Sequence, residues 1–215
     1  MSVVPCRRIE WPERGKAMSW FRPAVRILGR LRFTLLFLGM MTLANAFAGT
    51  FAGRLPFNVL NDWGIGAQSV LTGDLSRLLT GIFLSHDLDM LIRQIISAAA
   101  VIGYAEWRWG GLSAATAFFA LDIGSTLMLL TAIWRVPGMA SVAELNDVGM
   151  SMGGFGLLGL IMAGMRYRFG LFAFVWLAVF AKMLLSFEPL TDTGHGIALC
   201  LGFFVGLFLQ SRTRP

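Results

Sequence analysis

Six apolar runs, each near the length a helix needs to cross a bilayer, leave this chain few alternatives. They cover roughly residues 33–50, 79–105, 111–134, 148–165, 169–187 and 191–210, with charged residues at their borders. A bilayer's hydrocarbon core is about 30 Å thick, so a helix rising about 1.5 Å per residue needs about 20 apolar residues to span it. Composition agrees: 56% of the residues are apolar, 14% are charged, and mean hydropathy is +0.69. The 18 Phe, 12 Met and 7 Trp carry more apolar surface than 215 residues can hide in one soluble core. The expected fold is therefore an all-α membrane protein. The second run is the least regular, because its first half, FLSHDLDMLIRQ, is polar and continuous apolar sequence begins only near Ile95.

The charges sort by side. Eight of the 18 Lys and Arg fall in residues 7–32, ahead of the first run, where they suit a cytoplasmic flank drawn to anionic lipid. With that end inside, Arg108, Arg166, Arg168, Arg212 and Arg214 are also inside, and only Arg54, Arg77 and Arg135 lie outside. This bias places both termini in the cytoplasm. The chain then divides into a basic segment (1–32), a six-span domain (33–210) and a short tail (211–215). The first run ends in ANAFAG, like a signal-peptide cleavage site, but a 32-residue charged lead is too long, so the span is retained. The basic residues are 16 Arg and two Lys, a bias of GC-rich bacterial genomes, so the expected location is a bacterial cytoplasmic membrane. Cys6 in the tail and Cys200 in an apolar run fall at different depths, which excludes a disulfide framework. Residues 51–78 form a long outer loop suited to the membrane interface, and 135–147 a second one.

Polar groups inside spans are costly and mark function by default. Here they are His86, Asp87, Asp89, Arg93, Gln94, Glu106, Asp122, Ser151, Lys182, Asp192 and His195. Ser151 and the two histidines share the outer ends of their spans. Gly153, Gly156 and Gly159 recur every three residues, and Ala198, Gly202 and Gly206 every four, spacings that let helices approach closely in lipid. If those two faces meet, Ser151 comes within reach of His195, and a serine activated by a histidine is the minimum for acyl transfer. The plainer reading is that Ser151 bonds back to a helix carbonyl and His195 sits in the interface.

The stretch GMSMGGFGLLG resembles the GxSGxxxGLLG motif of the rhomboid intramembrane serine proteases, with Ser151 at the nucleophile. HGIALCLG resembles that family's HxxGxxxG, with His195 at the base and Gly202 at the second glycine. Arg77, Gly103, Glu106 and Gly110 also fit the family's frame, which runs from an arginine through HxxxxHxxxN to GxxExxxG. The resemblance covers residues 33–210 and implies a six-span rhomboid-like bundle that cleaves membrane-anchored proteins without a cofactor or metal. Its partners would be transmembrane segments and the bilayer. Water would enter by the polar start of the second span and by Asp192.

The same frame places Gln94 at the motif asparagine, Met90 at the second histidine and Ser85 at the first, and none of the three matches. In the family the asparagine, the second histidine and the serine amide stabilise the oxyanion, and losing one such donor costs about 2.7–4 kcal/mol. Gln94 keeps an amide donor on a longer arm; Met90 has none. Met152 and Ala198 replace motif glycines. Two functions stay open on these residues: a protease, or an inactive relative that binds client transmembrane segments. A third chemistry, a metal-dependent hydrolase, would use His86, Asp89, Asp192 and His195, paired at a spacing of three. Of the remaining polar groups, Arg93 is expected to pair with Asp89, and Glu106 and Arg108 to bond loop amides near Gly110. Asp122 has Arg93, Lys182, a backbone group or protonation open to it. Trp107, Trp109 and Trp134 suit an interfacial belt. No phosphate-binding glycine loop or nucleic-acid platform is present, and no oligomeric state is specified.

Overall fold

A computed structural model describes residues 29–135 and 145–213. Most of the basic N-terminal segment, Cys6, Glu144 and Arg214 lie outside the described residues. Within them the chain is helical, with one isolated antiparallel bridge between Ile65 and Asp147. Six longer helices carry the fold: α1 (Arg32–Ala48), α2 (Leu88–Trp109), α3 (Gly111–Arg135), α4 (Ser151–Ala163), α5 (Arg168–Leu185) and α6 (Pro189–Thr213). Among the described residues α2, α3, α5 and α6 are long and apolar enough to cross a membrane, the make-up of a multi-pass membrane protein. The run at 148–165 contracts to the 13 residues of α4, which rise only about 20 Å.

The run at 79–105 also shifts. Residues Arg77–Phe83 form a short helix and a 3₁₀ turn, and α2 begins only at Leu88, where the Asp87 carboxylate accepts from the Met90 amide at 2.8 Å. Its polar first half is thus partly a loop, and a capping aspartate sets where the helix starts. The loop ahead of it contains the short helices Phe57–Trp63 and Ala67–Leu71 and presents Phe57 and Trp63 outward, as an interfacial loop would. Arg77 fastens this loop by bonding Asp74 at 2.6 Å and the Asn61 carbonyl.

Lipid offers no hydrophobic drive for helices to associate, so close packing must do it. α4 lies at the centre and packs most extensively on α6, then on α3. A Cβ on Gly202 would overlap the Gly156 carbonyl, and one on Gly159 would meet the Leu199 carbonyl and lie 2.8 Å from the Phe203 nitrogen. Gly206 abuts Ala163 in the same seam. Gly153 does not belong to it. It faces α3, where a Cβ would lie 2.6 Å from the Phe118 ring.

α1 is held at both ends by buried polar groups. At its start Glu106 accepts from the amides of Phe33 and Thr34 and from the Thr34 hydroxyl at 2.7–2.8 Å. The carboxylate therefore caps α1 rather than binding amides near Gly110. Near its end buried Asn45 donates to the carbonyls of Met41 and Phe83, both at 2.8 Å. α5 has no buried residue. It is tied to the rest by Phe172 stacked on Phe203 and by Lys182, which reaches Asp192 at 2.7 Å and Glu188 at 3.5 Å. Trp107, Trp109 and Trp134 are exposed near the ends of α2 and α3, as an aromatic belt requires.

Candidate active site

Ser151 opens α4, so its amide is one of the first N–H groups of a helix, which have no partner within it. The segment before it is pinned from two sides: Asp147 and Ile65 exchange backbone bonds at 2.9 Å, and the Gly149 amide donates to Gly81 at 2.8 Å. His195 lies in the second turn of α6. A cavity of about 550 Å³ opens between α2, α4, α5 and α6, lined by Met90, Gln94, Ser151, Phe155, Lys182 and His195 among others. Ser151 and His195 also line a smaller pocket of about 40 Å³ with Asp122 and Met152.

The structure thus brings the two residues into one cavity, though no hydrogen bond joins them. Phe155, one turn below Ser151, stacks on the imidazole with centroids 4.2 Å apart and planes 15° from parallel. This fixes the ring plane, and His195 Nε2 is buried without a hydrogen-bond partner. Gln94 is 6% exposed; its Oε1 accepts from Ser85 Oγ at 2.7 Å, while its Nε2 is likewise buried and unpartnered. Met90 presents its sulfur to the His86 amide at 3.4 Å, and its methyl group lies against Gly149. Met152 fills the space beside Gly194, where a Cβ would lie 2.7 Å from its sulfur.

The metal arrangement is corrected. Among the described residues no three His, Cys, Asp or Glu gather, and three of the four proposed ligands are engaged elsewhere. Asp89 pairs with Arg93 at 3.0 Å, Asp192 with Lys182 and His86 with Asp147. Asp192 is 3% exposed and ties α5 to α6 through Lys182. Of the partners open to Asp122, the backbone one is present: its Oδ1 accepts from the Gly153 amide at 2.7 Å. Because Met150, ahead of α4, makes no side-chain cap, this carboxylate serves as the cap from a neighbouring helix.

Three contributors escaped the sequence reading: Asn45 and Phe155 carry no charge and sit in apolar runs, and Asp147 ends an outer loop, where an acid is ordinary; Ser85 was noted only as a mismatch to the resemblance. A buried amide or hydroxyl beside a candidate oxyanion donor is visible only once the helices are assembled.

His86 Nε2 bonds Asp147 at 2.9 Å across the mouth of the cavity, ahead of α2. The hydrogen bond to Asp147 holds the imidazole above its usual 6.5; burial opposes this, the charges of Asp147 and Asp87 add to it, and Arg54 opposes. A raised histidine contributes stability that is complete below about 6.5 and is lost as pH rises through the folded value. Melting in detergent between pH 5.5 and 9 is expected to show a fall in Tm above about 6.5 that is absent from His86→Gln. Parallel profiles would remove the contribution.

No family model matches this chain, and no curated protein matches it.

Proposed function

We propose that the protein is a rhomboid-like intramembrane serine protease that cleaves membrane-anchored substrates near the outer face of a bacterial cytoplasmic membrane. In this reading α1 and α4, with their flanking residues, complete a six-span bundle with both termini cytoplasmic. The supporting observation is that Ser151 and His195 line one cavity while the imidazole is stacked on Phe155 and its Nε2 has no other partner. Ser151 Oγ attacks the peptide carbonyl, His195 takes its proton and returns it to the leaving amine, and water then hydrolyses the acyl-enzyme. The Ser151 amide and Gln94 Nε2 supply the oxyanion donors. Catalytic hydrogen bonds are often long before substrate binds and tighten in the complex, so an unbonded resting pair is compatible with this chemistry.

A second reading, a pseudoprotease that binds client transmembrane segments, is favoured by the absence of a Ser151–His195 hydrogen bond and by Met90, which has no donor to offer. Labelling with a fluorophosphonate in detergent separates the two. The protease reading expects labelling of the parent and loss in Ser151→Ala and His195→Ala. Equal labelling of all three proteins would sink the dyad, and an unlabelled parent would favour the client-binding role.

A further inference from the structure

We infer that Ser85 and Asn45 are positioning residues that set the Gln94 amide as a donor into the active-site cavity; this rests on the protease reading of Ser151 and His195. A glutamine amide has a donor end and an acceptor end of nearly the same size. Turned the wrong way, Gln94 would present its oxygen to the developing oxyanion and repel it. Its longer arm, compared with asparagine, also leaves one more torsion to be held.

Both freedoms are removed by groups that bear on nothing else in the site. Ser85 is fully buried, and its hydroxyl donates to Gln94 Oε1 at 2.7 Å, which assigns the acceptor end. The Ser85 amide donates to Asn45 Oδ1 at 2.9 Å. Asn45 is itself fully buried, and both its N–H groups are used, on the carbonyls of Met41 and Phe83. Asn45 therefore has no orientation other than with its oxygen toward Ser85, and the relay runs from α1 through the 83–85 segment to α2.

At the far end Gln94 Nε2 lies against Gly149, two residues before Ser151, where a Cβ would overlap it. Gly149 has φ 129, a conformation in which side chains are disfavoured. The amide donor is thus brought to the turn that carries the nucleophile and is left buried with no partner. An unsatisfied buried donor is unfavourable at rest and is satisfied when a carbonyl oxygen bearing negative charge arrives, which is how an oxyanion donor is prepared.

The test is a double-mutant cycle on the rate of fluorophosphonate labelling, whose adduct places a phosphoryl oxygen at the oxyanion position. Gln94→Met is expected to slow the maximal labelling rate about 100-fold. Ser85→Ala is expected to slow it about tenfold, with the half-saturating probe concentration unchanged. The combined variant should be no slower than Gln94→Met alone, because Ser85 acts only through that amide. If Ser85→Ala slows labelling equally in both backgrounds, or not at all, the relay is overturned while the protease reading stands. If the parent itself is not labelled, the protease reading fails and the relay with it.

Discussion

Gly202→Ala is expected to lower the unfolding free energy by about 3 kcal/mol or more, the upper end of what overpacking by one methyl group costs. The added Cβ meets the Gly156 backbone, with its carbonyl carbon at 2.7 Å and Cα at 3.0 Å, and backbone cannot change rotamer to make room. The two helices would have to part, and Gly159 against Leu199 and Gly206 against Ala163 would lose their contacts together. The control is Gly39→Ala in α1, where a Cβ meets nothing within 4 Å and alanine's helix propensity favours the change by up to about 1 kcal/mol. Unfolding in mixed detergent measures both. A Gly202→Ala protein as stable as Gly39→Ala would show that the α4–α6 seam is wider than described.

Glu106→Ala should cost a similar amount for a different reason. It leaves the Phe33 and Thr34 amides and the Thr34 hydroxyl without an acceptor at a buried helix start. Each stranded donor costs about 1–3 kcal/mol, and water reaching the helix end lowers the total to roughly 3 kcal/mol. Glu106→Gln should recover only part, because one of its two terminal groups is a donor facing donors. Protease cutting near residues 29–34 is expected to rise in Glu106→Ala and to rise less in Glu106→Gln. Unchanged cutting in both would mean that α1 is held by its apolar face alone.

The two predictions rest on residues that the sequence presented unequally. Gly202 was legible as part of a small-residue repeat, and its role follows from spacing: residues four apart share a helix face, and two small faces attract in lipid. Gly153 belongs to the other series, spaced by three, and faces α3, because a spacing of three drifts around a helix and only the crossing of α3 decides which neighbour it meets. Glu106 was visible as an out-of-place carboxylate, yet its partners are more than seventy residues away. Local pattern cannot name them. Asn45 was not legible at all, since one amide in an apolar run gives no signal until the chain folds over it, and Ser85 was visible only as a mismatch, with nothing in the sequence to tie it to Gln94.

Sequence alone established the solvent. The six runs and the sparse charge require lipid around the helices, and the cost of polar groups there makes Ser151, His195, Gln94, Asp122 and Lys182 conspicuous. Tertiary structure decided which of these meet: Ser151 with His195 in one cavity, Lys182 with Asp192, Asp122 with the first turn of α4, and Gln94 with Ser85. Periodicity determines the face a residue occupies, but the identity of its partner depends on helix crossings and buried hydrogen bonds between segments distant in the chain.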